Sequence, residues 1–195
     1  MLRHFAIIGH KTPSSGKLNL NDLSGSGRMD VLVRAINSSL FVSHGIRKDT
    51  KITIHLQGSE GPDRRVLFDG KRLAGVRPDE RSIAGQIKAI MKLPIPPIGQ
   101  YKEVTQGIYH SGGDIFNTID SWKIEEIDIN ILDAKGVDIN HVSKKEKIGI
   151  ILSDDLPFND EEIEKFTDYQ KISLGDKWLQ GHSCITITQY VLDKL

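Results

Sequence analysis

A chain of 195 residues with a 38% apolar fraction has enough material for an ordinary hydrophobic core, so nothing in it calls for disulfides or a structural metal. The single Cys184 cannot form an intrachain bridge or complete a zinc-ligand spacing, and no apolar run reaches the roughly 20 residues that span a bilayer, so a soluble cytoplasmic protein without metal or membrane attachment is expected. Formal charge sums to zero but is divided: residues 1–92 carry 16 Lys+Arg against 8 Asp+Glu, residues 93–195 carry 10 against 18, and all nine arginines lie in the first half.

The opening MLRHFAIIGH lacks a signal-peptide cleavage pattern, and His4 to Ile8 reads as a buried strand. Gly, Pro, Ser and Asn residues through Gly27 mark a long loop, a common place for function. From Met29 to about Val42 apolar residues recur at helical spacing, with Asp30 at the positive end and Gly45 as the stop. Lys51 to Leu56 alternates as a strand, and Arg65 to Phe68 forms a second after a turn-rich loop. Pro78-Asp79-Glu80 opens a helix whose face is Ile83, Ala84, Ile87 and Ile90. Leu93-Pro94-Ile95-Pro96-Pro97 interrupts regular structure and reads as a linker over the surface of one domain spanning 1–195. Strands at Ile127–Leu132, Lys147–Leu152 and Gln170–Ser173 then alternate with helices near Asp114–Trp122, Asp160–Thr167 and Ser183–Leu192. Such alternation predicts an α/β fold, a mostly parallel sheet flanked by helices on both faces.

In such sheets ligands bind beyond the carboxyl ends of the strands, where turns and helix starts leave backbone NH groups free. The most informative segment is therefore Ser173-Leu174-Gly175-Asp176-Lys177-Trp178-Leu179-Gln180-Gly181-His182-Ser183-Cys184-Ile185, which joins the last strand to the last helix. Read plainly, it is a connection with Ser183 as N-cap and Cys184 as a small buried residue. Gly25-Ser26-Gly27 follows no strand and lacks the third glycine of a dinucleotide fingerprint, and neither GxxxxGK[ST] nor HExxH occurs.

The run SLGDKWLQGHSCI resembles the C-terminal signature of the SPOUT methyltransferases, specifically the archaeal tRNA pseudouridine N1-methyltransferases of the TrmY family. Gly27-Arg28-Met29-Asp30, Ser43-His44-Gly45-Ile46-Arg47 and Pro78-Asp79-Glu80-Arg81-Ser82 extend the resemblance in order across nearly the whole chain. It implies a homodimer with a deep trefoil knot, the last helix threaded through an earlier loop. It implies S-adenosylmethionine as cofactor, held by loops at Leu132, at Ser153 and Asp154, and at Ser173, Leu174, Gly175, Leu179 and Cys184, about residues 126–195. It also implies methylation of N1 of a pseudouridine in the T-arm of tRNA (position 54). Two positions depart from the family pattern, which usually has glycine where Ser153 stands and proline after Gly175, here Asp176.

Methyl transfer to a nitrogen that carries a proton asks for alignment, a carboxylate to accept the proton, and a cation to stabilise charge on the base's carbonyl oxygens. Asp79 with Arg81, and Arg28 with Asp30, are the candidate pairs; taken singly, Asp79 reads first as a helix cap, Arg81 as a surface ion pair and His44 as a helix-end residue. Arginine's planar fork suits phosphate, so the basic half is the expected RNA face, with Arg64, Arg65 and Arg72 as candidate tRNA contacts. Two other readings remain: a ribosomal RNA pseudouridine N1-methyltransferase, and a noncatalytic RNA-binding or assembly protein on the same fold.

Overall fold

A computed structural model describes residues 1–195. Its centre is an eight-stranded sheet built from β1 (Leu2–Gly9), β4 (Thr50–Leu56), β5 (Arg64–Asp69), β6 (Lys102–Thr105), β7 (Ile108–Gly112), β8 (Asp128–Asp138), β9 (Lys147–Ser153) and β10 (Gln170–Ser173), in the order β10-β8-β9-β1-β4-β5-β7-β6. From β10 to β4 every neighbouring pair is parallel; β5, β7 and β6 then add antiparallel. The two short strands β2 (Phe41–Val42) and β3 (Gly45–Ile46) form a separate hairpin.

β1 shows why the parallel half needs cover on both sides. Phe5 and Ile7 point into one apolar cluster and Ala6 and Ile8 into another, all nearly inaccessible, so the strand reads as one apolar run without polar alternation. The first cluster buries α1 (Met29–Leu40), α2 (Glu80–Met91) and α5 (Gly181–Leu192); the second buries α3 (Ile115–Ile124) and Phe166, which follows α4 (Asp160–Lys165). On that second face the Trp122 ring lies where a Cβ on Gly149 would stand, 2.6 Å away, so β9 admits no side chain there. No helix is long and apolar enough to cross a membrane.

Several element boundaries differ from the sequence pattern. The first helix ends at Leu40, since Phe41 is already extended, and Gly45 belongs to the hairpin that follows. The last helix starts at Gly181, two residues before Ser183, so Ser183 is inside the first turn and caps nothing. β6 and β7 were hidden by short length and a register break at Glu103/Thr105. The proline segment before them packs against the sheet, with the Pro96 carbonyl accepting from Gly112 N at 2.9 Å.

Candidate active site

At the carboxyl ends of β9 and β10, and at a bulge within β8 where its pairing with β10 jumps from Ile131 to Val137, three loops enclose a cavity of about 330 Å³, in the range of small-molecule sites. Leu132, Ser153, Asp154, Leu174, Gly175, Leu179 and Cys184, drawn from all three loops, line it together. Ser173 does not. It is buried behind the wall, its hydroxyl donating to Ala134 O and accepting from Gly175 N, both at 3.0 Å, which pins the β8 loop to the β10 loop. Gly175 has φ +105, a conformation other residues adopt only under strain, and its open side has no atom within 4 Å of a Cβ position. Asp176 after it is exposed, so the turn forms without proline.

Leu132, Leu152, Leu174 and Leu179 supply apolar walls, while the first turn of α5, entering at Gly181, has no side-chain cap. Burial pushes the Cys184 thiol up, so it stays neutral and packs as wall, its Sγ 3.7 Å from Leu179 O. Apolar faces beside free amides suit a flat heterocycle joined to a polar chain, so the cavity fits an adenosine-type cofactor. Ser153, in place of the family's glycine, turns its hydroxyl onto Leu156 O within its own loop and leaves the cavity open.

Beside this cavity the starts of α1 and α2 are wired to it by alternating charges. Arg28 grips Asp30 with Nε and Nη2 (3.0 and 3.1 Å) and reaches Asp155, next to the cavity-lining Asp154, with Nη1 (3.0 Å). Arg34 joins Asp30 (3.5 Å) to Glu80 (2.8 Å) at the head of α2. Burial pushes the Asp30 carboxyl up, but the Arg28 fork and Arg34 charge outweigh it and hold Asp30 below the usual range. Asp30 is thus fully engaged as an anion. Asp79 caps α2, accepting from Ser82 N at 2.8 Å, and Arg81 donates to Asn21 Oδ1 at 2.9 Å; both are exposed and neither lines the cavity.

The basic half needs one correction. Arg64 and Arg65 are completely buried and present nothing to an RNA. Arg64 donates to the carbonyls of Ile90 and of Leu93 (2.7 Å), closing the end of α2. Arg65 donates to Gly112 O at 3.1 Å and lies over the Tyr101 ring, 5.0 Å from its centre. They sit on β5, an interior strand covered on both faces, and their charge is used inward. Arg72 is exposed, paired with Glu103 at 3.4 Å. His10 and Glu162 gave no sequence signal for the site: 152 residues separate them, yet the imidazole bonds both the cavity-lining Asp154 and Glu162.

The family model of SAM-dependent RNA methyltransferases matches residues 2–195. The chain belongs to that family. It is 38% identical over 192 residues to the tRNA (pseudouridine(54)-N(1))-methyltransferase of Methanospirillum hungatei, covering 97% of this chain and 95% of that one. It is 36% identical to the enzyme of the same name from Methanocorpusculum labreanum, covering 100% and 97%. Among solved structures, Archaeoglobus fulgidus Nep1 bound to S-adenosylhomocysteine matches with a TM-score of 0.68 at 8% identity, covering 100% of this chain and 98% of that one. At that identity the likeness speaks for the fold.

Proposed function

We propose that this protein transfers the methyl group of S-adenosylmethionine to N1 of a pseudouridine at position 54 in the T-arm of tRNA. The observation that carries this reading is the cavity built by the β8, β9 and β10 loops, in a chain 38% identical to an enzyme named for that reaction. Bound in the cavity, S-adenosylmethionine would supply a sulfonium methyl for in-line displacement by N1, its thioether departing, while a carboxylate of the chain would take the N1 proton. The leucine walls exclude water and orient the donor. Arg28, tethered to Asp155 at the cavity's edge, is the cation we assign to the base's carbonyl oxygens, and Asp79, whose carboxylate is exposed while Asp30 is sequestered, is the proton acceptor to test first.

Mass spectrometry of tRNA and small-subunit rRNA fragments incubated side by side with labelled cofactor tests the substrate. Methyl transfer to the pseudouridine of tRNA is expected; transfer confined to rRNA overturns it. Asp79→Asn separates cap from base, because asparagine caps helices as well as aspartate but takes no proton. An unchanged melting temperature with kcat lowered about 100-fold or more is expected of a general base; unchanged kcat would reduce Asp79 to a cap.

We further propose a homodimer built on α5 and the loop before it, supported by Trp178 (83% exposed) and by Ile187 and Tyr190, exposed three residues apart on one face of α5. Knotting is supported by α5 packing between α1 and the Ile139–His141 turn, with Lys144 Nζ donating to Leu195 O at 2.6 Å across the helix end.

A further inference from the structure

His10 is the first residue beyond β1, at the same end of the sheet as the cavity. Its ring is mostly enclosed and both nitrogens are committed: Nδ1 lies 3.0 Å from Asp154 Oδ1, and Nε2 lies 3.0 and 3.1 Å from the two oxygens of Glu162. Its backbone NH also donates to Asp154 Oδ2 at 2.9 Å. The two carboxylates are themselves structural. Asp154 accepts from Leu156 N at 3.0 Å, closing the turn after β9, and Glu162 accepts from Asn159 N at 2.9 Å while Asn159 Oδ1 accepts from Glu162 N, a reciprocal cap on α4. Between these anchors run Leu156, Pro157 and Phe158, which with Ile163 form one wall of the cavity.

We propose that His10 is a positioning residue for the cofactor: as an imidazolium clamped between Asp154 and Glu162, it fastens both ends of the β9–α4 loop and holds that wall in its binding shape. This rests on the cavity being the cofactor site.

A neutral imidazole has one N–H and one lone pair, so it satisfies one carboxylate and turns a lone pair toward the other at 3.0 Å; the cation donates to both. Both carboxylate side chains are buried, so without the cation two anions stand close together out of water. The charged groups against the ring are Asp154, from the β9 turn, and Glu162, from α4; the Ser153 hydroxyl, 3.5 Å from Nδ1, is its uncharged neighbour, and Lys11 beside it in the chain is exposed. Burial pulls His10 down, but the two hydrogen-bonded carboxylates more than reverse this and carry it to about 9.

The test is calorimetric titration of the full-length protein with S-adenosylhomocysteine between pH 6 and 10. Wild type is expected to bind evenly to pH 8 and to weaken about tenfold toward pH 10. His10→Gln is expected to bind about tenfold more weakly at pH 7 with no such alkaline limb, and His10→Gln/Glu162→Gln to recover part of the loss by removing one of the facing anions. Glu162→Gln, which keeps the α4 cap, covers the case in which His10→Gln fails to fold: its alkaline limb is expected to move to lower pH. Wild-type affinity and pH profile in His10→Gln, or an unmoved limb in Glu162→Gln, overturns the proposal. Absence of binding by wild type at every pH instead overturns the cofactor site itself.

Discussion

Arg64 and Arg65 share a sequence position that looks basic and an environment that is wholly interior, and the consequence is a change in what their mutation should do. Removing Arg64 strips the donor from the Ile90 and Leu93 carbonyls. We expect Arg64→Ala to cost roughly 2 kcal/mol in a denaturant melt, the scale of an unpaired buried polar group, while the folded fraction keeps its affinity for tRNA. Arg72 should behave in the opposite way. Exposed beside Tyr109 and Glu103, it is free to trade its ion pair for a phosphate. Arg72→Glu is expected to leave the melt unchanged and to weaken tRNA binding, lowering the slope of log affinity against log salt by about 1 as one phosphate contact is lost. Cofactor titration of the same variant should match wild type, since Arg72 does not line the cavity.

At the scale of elements, α5 is the piece on which the site depends, because it brings Gly181 and Cys184 into the cavity wall and has no side-chain cap of its own. It is moored at its far end. Arg3 of β1, buried, donates to Gln189 and to Asp193 (2.6 Å), and Arg47, just after β3, grips the same Asp193 with both Nη atoms (2.9 and 2.7 Å). Gln189 in turn donates to Ser39 O at the end of α1 at 3.0 Å. Asp193→Ala leaves two arginines competing for water with one of them buried, so the last turns of α5 should open more readily. Hydrogen exchange is expected to speed up across residues 181–192 before any other helix, with cofactor affinity falling several-fold; exchange confined to the final two residues would show that the anchor is local.

Over the whole molecule, histidines set a pH optimum for stability. Burial depresses His4 and His55 to about 3, with nearby cationic charge adding to the effect and a hydrogen bond to Ile7 opposing it at His55. In the unfolded chain both titrate near 6.5, so below that pH the unfolded state takes up protons the fold refuses, and stability falls as pH drops from 6.5 toward 3. His10 works with the other sign. Its folded value is raised to about 9, so its contribution is complete below 6.5 and is lost as pH climbs from 6.5 through 9. Stability measured by denaturant should therefore peak near pH 6.5 and decline on both sides, and His10→Gln should flatten the alkaline side alone.

The parallel core was legible along the chain because it obeys local rules. β1 and β9 are short, mainly apolar runs between turn signals, β4 alternates, and α1 and α2 carry apolar faces at helical spacing with acids at their heads, so periodicity and capping chemistry are enough to find them. The glycine turn at Gly175 and the departures at Ser153 and Asp176 could be marked from sequence for the same reason. β6 and β7 could not, being four and five residues long and paired at the sheet's edge by contacts no local pattern records. The direction in which a charge points was equally hidden: whether Arg64 faces water or the end of α2 depends on what packs over β5, 26 residues distant. So the sequence alone determined the family, the elements of the parallel core and the strand ends where a ligand would sit. Tertiary structure decided which polar side chains are spent on holding the fold and which converge on the cavity, because burial and pairing across 144 residues, as between His10 and Asp154, belong to the packed molecule and to no segment of it.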